Sequence, residues 1–322
     1  MKRVNIAALS NSISGISEIL KGQSDILVFP ANVISTYDDS FEYLIYLIES
    51  GINSGKEIYI DIDELCGEKY LSFLRKAEFW FSRGVQGVIV SSLSLLQEIR
   101  KSYPNIKIIT GESLGVYDKY SISFLKKEFN INGMLFQPAV SLEKIKEISK
   151  TFQLDFWFCV FGKHCSCFKG ICFLTEYISG RKKENLYKCL PESSINFRTK
   201  KHDEIRCGNY LLDRIRDDES LYIPYICRAR LKNSLTNEID NFINEPGTIN
   251  YISHLSDTVN SGIKTILISG ENRSPLFFKQ SVPVFKDALD LFYTGEYKSS
   301  KMEGIRLKLN NLEEIDFIEE LP

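Results

Sequence analysis

Short runs of apolar and β-branched residues alternate with stretches of helical period through most of this 322-residue chain. Each run has the near-continuous hydrophobicity of a strand that is covered on both faces, as in a parallel sheet. Eight runs have this character: VNIAAL (4–9), DILVFP (25–30), EIYIDI (57–62), GVIVSS (87–92), IKIITGE (106–112), GMLFQPA (133–139), DFWFCVF (155–161) and TILISG (265–270). A strand followed by a helix, repeated in this way, indicates parallel βαβ units.

The segments between the strands place apolar residues at i, i+3, i+4 and i+7, the spacing of an amphipathic helix. Five segments show this period: FEYLIYLIESGI, YLSFLRKAEFWFSRG, SLLQEIRKSY, ISFLKKEFN and LEKIKEISKTF. Eight such units predict an α/β fold, a (β/α)8 TIM-like barrel, with an open doubly wound sheet as the alternative. We expect residues 1–322 to form a single barrel domain.

The regularity is interrupted once, where about 90 residues separate the seventh predicted strand from the eighth. Because structureless loops of that length are uncommon, we expect residues 162–250 to be an insertion with small strands and helices of its own. All of the cysteines except Cys66 fall within residues 159–227. The segment after strand seven of a barrel begins at the C-terminal face, where active sites of this fold are built.

Composition narrows the classes of protein to which the chain can belong. Lysine and arginine number 40 and aspartate and glutamate 42, for a net charge of −2, so nucleic acid is not an expected partner. No stretch approaches the length of about 18 apolar residues that spans a bilayer, and the apolar run near the N-terminus is too short for a signal peptide. We therefore expect a cytoplasmic protein, in which disulfides are the weaker explanation for eight cysteines.

Cysteine thiolates bind zinc and iron–sulfur clusters, and either kind of site needs about four of them at one point. The spacing here is neither the paired CxxC of a zinc ribbon nor the compact run of a bacterial ferredoxin. The residues alone therefore leave a metal site and buried structural thiols open as alternatives. Cys159 and Cys207 lie in strand-like segments, and we expect both to be packed hydrophobic residues and not ligands.

The cysteine-rich segment contains FGKHC-x6-C, with Gly170 shortly before Cys172, then Cys189 and finally IPYICRAR. A later segment reads NEPGTINYISHLSDTVNSGIKTILISGENRSP and continues to VFKDALD. In these features the chain resembles the collagenase-like peptidase family, a U-type peptidase family. It is most similar to the UbiU branch, iron–sulfur proteins of oxygen-independent ubiquinone hydroxylation. The resemblance covers nearly the whole chain and is most specific over residues 159–289.

The resemblance implies a 4Fe-4S cluster held by four cysteines: Cys165, Cys172, Cys189 and Cys227. The better-known family pattern has His-Gly before the first cysteine and a further cysteine four residues after the third. This chain has Phe161-Gly162 and Ser193 at those places, and the UbiU branch takes its fourth ligand from the position of Cys227. Cys167 lies two residues after the first predicted ligand, and its role stays open.

Polar residues at the C-terminal ends of the predicted strands, with the histidine before the first predicted ligand, are candidates for the substrate pocket, because those ends face the mouth of a barrel. The candidates are Asp61, Glu112, Gln137, His164 and Arg273. Carboxylates together with an arginine suit an anionic or hydroxylated small molecule. His164 is also a candidate proton donor near neutral pH. No catalytic residue is assigned.

The resemblance implies an iron–sulfur oxidoreductase or hydroxylase that takes part in oxygen-independent hydroxylation of an aromatic or quinone-like small molecule. A paralogous protein subunit is an expected partner, because the related proteins work as pairs. The segments after strands six and eight, LFQPAVS and SGENRSP, depart from the family pattern and indicate a different substrate or a site completed by a partner. The alternatives are an iron–sulfur RNA-base hydroxylase, a non-catalytic protein whose fold is stabilised by a bound metal, and a peptidase.

Overall fold

Eight parallel strands form the centre of the fold in the computed structural model. The structure describes residues 3–31, 39–62, 68–163, 248–270, 273, 275–297 and 300–315, together with five short strands between residues 194 and 241. The central strands are β1 Asn5–Leu9, β2 Ile26–Pro30, β3 Glu57–Asp61, β4 Gly87–Val90, β5 Lys107–Thr110, β6 Gly133–Phe136, β7 Asp155–Lys163 and β14 Thr265–Ser269.

The sheet closes on itself. Strands β1 to β6 pair in sequence order, β7 pairs with β6, and β14 joins β7 to β1, all in parallel register. A short strand, β13 Thr248–Asn250, lies next to β7 in the same sheet. The predicted (β/α)8 barrel is confirmed, and the open sheet is excluded because neither β1 nor β6 is an edge.

Helices follow the barrel strands: α1 Ile13–Lys21, α2 Asp39–Asn53, α3 Glu68–Ser82, α4 Leu93–Ser102, α5 Lys119–Phe129, α6 Leu142–Thr151, α7 Leu255–Asn260, α8 Pro275–Tyr293 and α9 Ser300–Ile315. The five helices predicted from periodicity are all present. Helix α1 is not among the predicted helices, although Ile13, Ile16 and Leu20 have the helical spacing i, i+3 and i+7. No helix in the described part of the chain is long and apolar enough to cross a membrane.

Two apolar layers hold the barrel together. The outer layer lies between strands and helices and contains Ile6, Ile16, Leu44 and Phe285 among many others. The inner layer fills the barrel itself: Ala7, Leu9, Ile26, Val28, Tyr59, Ile89, Ile109, Leu135, Trp157, Cys159, Ile249 and Leu267. Within it the rings of Tyr59 and Trp157 meet edge to face, with centroids 5.2 Å apart. The barrel interior is therefore a packed core, and Cys159 is confirmed as one of its buried residues.

The chain divides into two compact units. The first comprises residues 1–163 and 249–313 and contains the barrel. The second contains a three-stranded antiparallel sheet and a two-stranded ribbon: β8 Ser194–Arg198, β9 His202–Cys207, β10 Tyr210–Arg216, β11 Arg230–Lys232 and β12 Ile239–Asn241. The long segment after β7 thus carries strands of its own, and Cys207 lies in one of them.

Candidate active site at the barrel mouth

The C-terminal ends of the eight barrel strands meet at one edge, which is the mouth of the barrel. Asp61 is the last residue of β3, in register with Pro30 of β2 and Ile89 of β4. Because side chains alternate along a strand and Tyr59 points inward, Asp61 belongs to the inward-facing set. Its side chain is only 2% exposed. The structure thus places this predicted pocket residue as a buried carboxylate at the top of the inner layer.

Ser91 is next to this position, on the strand that follows. It comes directly after β4 and, by the same alternation, continues the inward-facing set of Ile89. Its hydroxyl oxygen is buried and has no hydrogen-bond partner among the described residues. A buried hydroxyl without a partner is costly and commonly marks a position that a ligand or water satisfies. Ser91 is not among the predicted pocket residues, although its place directly after the run GVIV is a usable signal.

Glu112 and Gln137 follow neighbouring strands, β5 and β6. Glu112 opens a 3-10 turn, Glu112–Leu114, that lies against β6, and its side chain is half-buried. The carbonyl oxygen of Gln137 accepts the N–H of Val140 at 3.0 Å, so a turn begins where the strand ends. The hydroxyl of Tyr251 donates to the carbonyl of Pro138 at 3.3 Å and ties down the same loop. These two predicted pocket residues are therefore neighbours on a fixed part of the rim.

Arg273 lies beyond β14, on the other side of the mouth. Its N–H donates to the carbonyl of Gly270 at 3.1 Å. Its guanidinium carbon is 5.6 Å from the ring centroid of Phe277, and that ring stacks on Phe161 of β7 at 5.3 Å. A guanidinium over an aromatic ring is held in place while its donors remain directed toward other groups. The four predicted pocket residues that are described are thus spread around the rim, at the end of β3 and after the ends of β5, β6 and β14.

Strand β7 leaves the barrel through a distorted end. Leu267 of β14 is in register with Cys159, but the next residue, Ile268, is in register with Phe161, so Val160 is an extra residue. The carbonyl of Val160 accepts the N–H of Tyr251 at 2.8 Å. Gly162 then has φ of +102° and lies so close to β14 that a Cβ would be 1.9 Å from the carbonyl oxygen of Ser269. Bulges of this kind occur at barrel rims and redirect the strand.

The loop between β1 and α1 adds a polar segment to the mouth that the sequence predictions did not include. The N–H of Ser12 donates to the hydroxyl oxygen of Ser10 at 3.3 Å, and Ser12 caps α1 by accepting the N–H of Gly15. A Cβ at Gly15 would be 2.1 Å from the Ser10 hydroxyl oxygen, which explains the glycine. The letters SNS directly after the run VNIAAL were a usable signal for this segment.

The opposite end of the barrel is closed by polar contacts. Lys107 forms an ion pair with Glu57 at 2.8 Å, and the hydroxyl of Tyr59 donates to the same carboxylate at 3.0 Å. Burial raises the pKa of Asp155, whose carboxylate accepts a hydrogen bond from Thr265 at 3.3 Å. Above these groups the inner layer is filled by Tyr59 and Trp157. Within the described residues, the barrel is thus filled and closed at the end opposite the mouth.

A sequence model of peptidase family U32 matches residues 38–319, which is most of the chain. The chain belongs to peptidase family U32. This confirms the family resemblance seen in the cysteine-rich and closing segments, and membership of the UbiU branch stays a prediction.

Solved structures show similarity to this U32 protein at low identity. One is a U32 peptidase, at 14% identity and a TM-score of 0.41, covering 51% of this chain and 71% of that chain. Another is a putative fructose-1,6-biphosphate aldolase from Coccidioides immitis, at 10% identity and a TM-score of 0.41, covering 96% of this chain and 91% of that one. We take neither a substrate nor a mechanism from these similarities.

The predicted ligands of this U32 protein, Cys165, Cys172, Cys189 and Cys227, lie outside the described residues, as does His164. Within the described residues, no group of three or more histidine, cysteine, aspartate or glutamate side chains is arranged to hold a metal ion. The donor set itself fits the implied group, because four thiolates are the usual complement of a 4Fe-4S cluster. All four of these cysteines belong, in the sequence, to the segment that follows β7.

Proposed function

We propose that this U32 protein binds a 4Fe-4S cluster through Cys165, Cys172, Cys189 and Cys227 and takes part in oxygen-independent hydroxylation of an aromatic or quinone-like small molecule. We further propose that it acts as one subunit of a heteromer with a paralogous protein. The observation that carries the proposal is the path of β7. This strand runs to Lys163 at the barrel mouth, and the segment with the four cysteines begins at the next residue.

The mouth has the character of a site for a hydroxylated aromatic molecule. Asp61 can accept a hydrogen bond from a substrate hydroxyl, and the buried hydroxyl of Ser91 can pair with the same group. Arg273 provides donors for an oxygen that carries negative charge, such as a phenolate or carboxylate. Because Tyr59 and Trp157 fill the barrel below, the inner layer gives the ring an apolar floor and excludes water from beneath it.

The chemistry sets what the protein must provide. Replacing a C–H bond by C–OH with water as the oxygen donor releases two protons and two electrons, so a base and an electron acceptor are both required. Asp61 and Glu112 are carboxylates at the mouth that can take up a proton. When bound, a 4Fe-4S cluster supplies one-electron transfer, through which electrons can pass to a redox partner.

The ligand set is tested by measuring iron, acid-labile sulfide and the visible spectrum of protein purified without oxygen. We expect about four iron and four sulfide atoms per chain. The Cys189→Ala variant should lose most of both, because the remaining three thiolates cannot complete the coordination. Cys207→Ala is the matched control: it removes a cysteine of the same segment that lies in β9 and is expected to leave the iron content unchanged.

The other outcomes point to the alternatives. Full iron content in Cys189→Ala would exclude this ligand set. Zinc in place of iron, with no redox response, would favour a metal-stapled protein without redox chemistry. Colourless protein after anaerobic reconstitution with iron and sulfide would exclude the cluster and with it the proposed hydroxylation. Tight, salt-sensitive binding of RNA by the cluster-loaded protein would move the substrate from a small molecule to an RNA base.

A further inference from the structure

The outward face of α2 is both aromatic and acidic. Tyr43 and Tyr46 are 47% and 65% exposed, and their rings stack with centroids 6.3 Å apart. One line of side chains along the helix contains Glu42, Tyr46 and Glu49, at positions i, i+4 and i+7. Glu49 is also 3.5 Å from Arg83, the residue directly after α3. The sequence has no lysine or arginine at all between Lys21 and Lys56.

The outward face of α5 has the same spacing with the opposite charge. Tyr120 and Phe124 are 76% and 51% exposed, and they form a line at i, i+4 and i+7 with Lys127. Lys119 and Lys126 lie beside this line, and the ammonium of Lys119 is 5.2 Å from the ring centroid of Tyr120. Helix α5 itself contains one acidic residue, Glu128, whose carboxylate is 3.4 Å from the ammonium of Lys127. The face is therefore aromatic and basic.

Neither aromatic face contributes to the core, because each helix buries its other side. Leu44 and Ile48 of α2 and Ile122 and Leu125 of α5 are buried against the barrel. Single exposed apolar residues are ordinary, whereas contiguous exposed apolar patches are typical of interaction surfaces. Here two such faces occur on one chain, with matching spacing and complementary charge. The glutamates of the α2 face can therefore pair with the lysines of the α5 face.

We propose that the α2 face of one copy of this protein docks on the α5 face of a second copy. Helix α2 connects β2 to β3 and α5 connects β5 to β6, so the two faces lie on different sides of the barrel and cannot meet within one copy. The contact is therefore heterologous, and it leads to a ring or an open chain of copies. Aromatic rings stack at its centre while glutamates of α2 face lysines of α5.

The contact should be weak and sensitive to salt. One helix face on another buries less than the area of about 1,000 Å² that a stable interface needs, so the association should depend on protein concentration. Its charged pairs are exposed, and salt screens them within about 8 Å at physiological ionic strength. The association is independent of the proposed cluster, because both helices belong to the barrel unit.

The test is sedimentation velocity of the full-length protein over a range of concentrations, at low and high salt. We expect species larger than a monomer at high concentration and low salt, and fewer of them at high salt. Two double variants should each sediment as monomers. One is Glu42→Lys/Tyr46→Lys, in which the α2 face is altered, and the other is Phe124→Glu/Lys127→Glu, in which the α5 face is altered. All four substituted side chains are exposed, and circular dichroism checks that both variants remain folded.

Mixing the two variants gives the sharpest result. Each retains one intact face, and the two intact faces are complementary, so an equimolar mixture should form a complex that neither variant forms alone. Lys146→Glu/Lys150→Glu is the matched control, since it makes the same kind of charge change on exposed residues of α6 and should associate as the wild type does. A wild type that stays monomeric at low salt, a mixture that forms no complex, or a control that loses association equally would each overturn the proposal.

Discussion

At the scale of single residues, Gly162 determines how β7 leaves the barrel. Its φ of +102° is in the region that L side chains rarely adopt, and it lies in van der Waals contact with the backbone of Ser269. The extra residue at Val160 has shifted the register just before it. Two independent constraints, conformation and space, therefore require glycine at the point where the chain turns toward the cysteine-rich segment.

Substituting Gly162 by alanine should therefore lower the free energy of unfolding of the barrel by at least about 3 kcal/mol. The new methyl group would collide with the carbonyl oxygen of Ser269, which cannot move without breaking the β7–β14 pairing. Gly55→Ala is the matched control. Gly55 also has positive φ, +84°, but no atom lies within 4 Å of the added Cβ, so only the conformational cost of about 1–2 kcal/mol should appear. Urea unfolding of the two variants measures both, and equal losses would show that space at Gly162 is not limiting.

Ser91 allows a test of whether the mouth is built for a ligand and not for stability. Replacing it by alanine removes a buried hydroxyl that has no partner among the described residues, so the free energy of unfolding should stay level or rise by about 1 kcal/mol. Ser261→Ala is the contrasting variant, because that buried hydroxyl donates to the carbonyl of Thr258 at 2.7 Å, and its loss should cost about 1 kcal/mol. Comparable losses in both variants, measured by urea unfolding, would mean that Ser91 supports the fold.

At the scale of elements, the strands could be predicted because each is a continuous apolar run that requires cover on both faces. Their ends could not be placed so well. The run GVIVSS gives a strand that ends at Val90, since Ser92 leaves the ladder to cap α4 by accepting the N–H of Leu95. The run IKIITGE ends at Thr110, since Glu112 enters a 3-10 turn. At Ser92 a side-chain hydrogen bond competes with the ladder, whereas the turn at Glu112 forms without a side-chain cap. The apolar period of the run records neither event.

Helix α5 begins at such a cap, and the cap is a pH-dependent source of stability. Hydrogen bonds from Ser121, and also from the N–H of Tyr120, lower the pKa of Asp118 below its ordinary value of 3.8. A lowered pKa in the folded state means that the carboxylate stabilises the protein above about pH 4 and that this contribution is lost as the pH falls through the folded pKa. Asp118→Ala should cost about 1 kcal/mol at pH 7.

The conservative change separates the charge of Asp118 from its hydrogen bonds. Asp118→Asn keeps an acceptor for both N–H groups, so it should lose less than the alanine variant at pH 7. Between pH 7 and pH 3, its difference from the wild type should shrink, because the wild-type carboxylate is then being protonated. Thermal unfolding across this pH range measures the difference, and one that stays constant would show that the charge of Asp118 contributes nothing to α5.

At the scale of the whole molecule, the closed barrel could be predicted because eight βαβ units have few other ways to cover every strand. The candidate site was only partly accessible from sequence. Strand-end position placed Asp61, Glu112, Gln137 and Arg273 around the mouth, as the structure does. The bulge at Val160 and the burial of the Ser91 hydroxyl depend on contacts between distant segments, which no local pattern records.

The division into two units leads to a prediction for the barrel alone. The pairings that close it, β6–β7, β7–β14 and β14–β1, and the inner layer between them belong to residues 1–163 and 249–313. We therefore expect a chain in which a linker of about ten glycine and serine residues replaces residues 164–247 to fold into the barrel. Such a linker reaches about 30 Å when extended, which is ample for joining β7 to its neighbour β13.

Both tryptophans of the protein, Trp80 and Trp157, are fully buried in the barrel unit, so their fluorescence reports on the barrel and not on the replaced segment. The shortened chain should keep the buried-tryptophan emission of the full-length protein and unfold in one cooperative urea transition. It should bind no iron after anaerobic reconstitution, because all four proposed ligands have been removed, while full-length protein treated in parallel should bind it. Solvent-exposed tryptophans or a broad transition in the shortened chain would show that the barrel depends on the replaced segment for its stability. Iron retained by a folded barrel would exclude the proposed ligands.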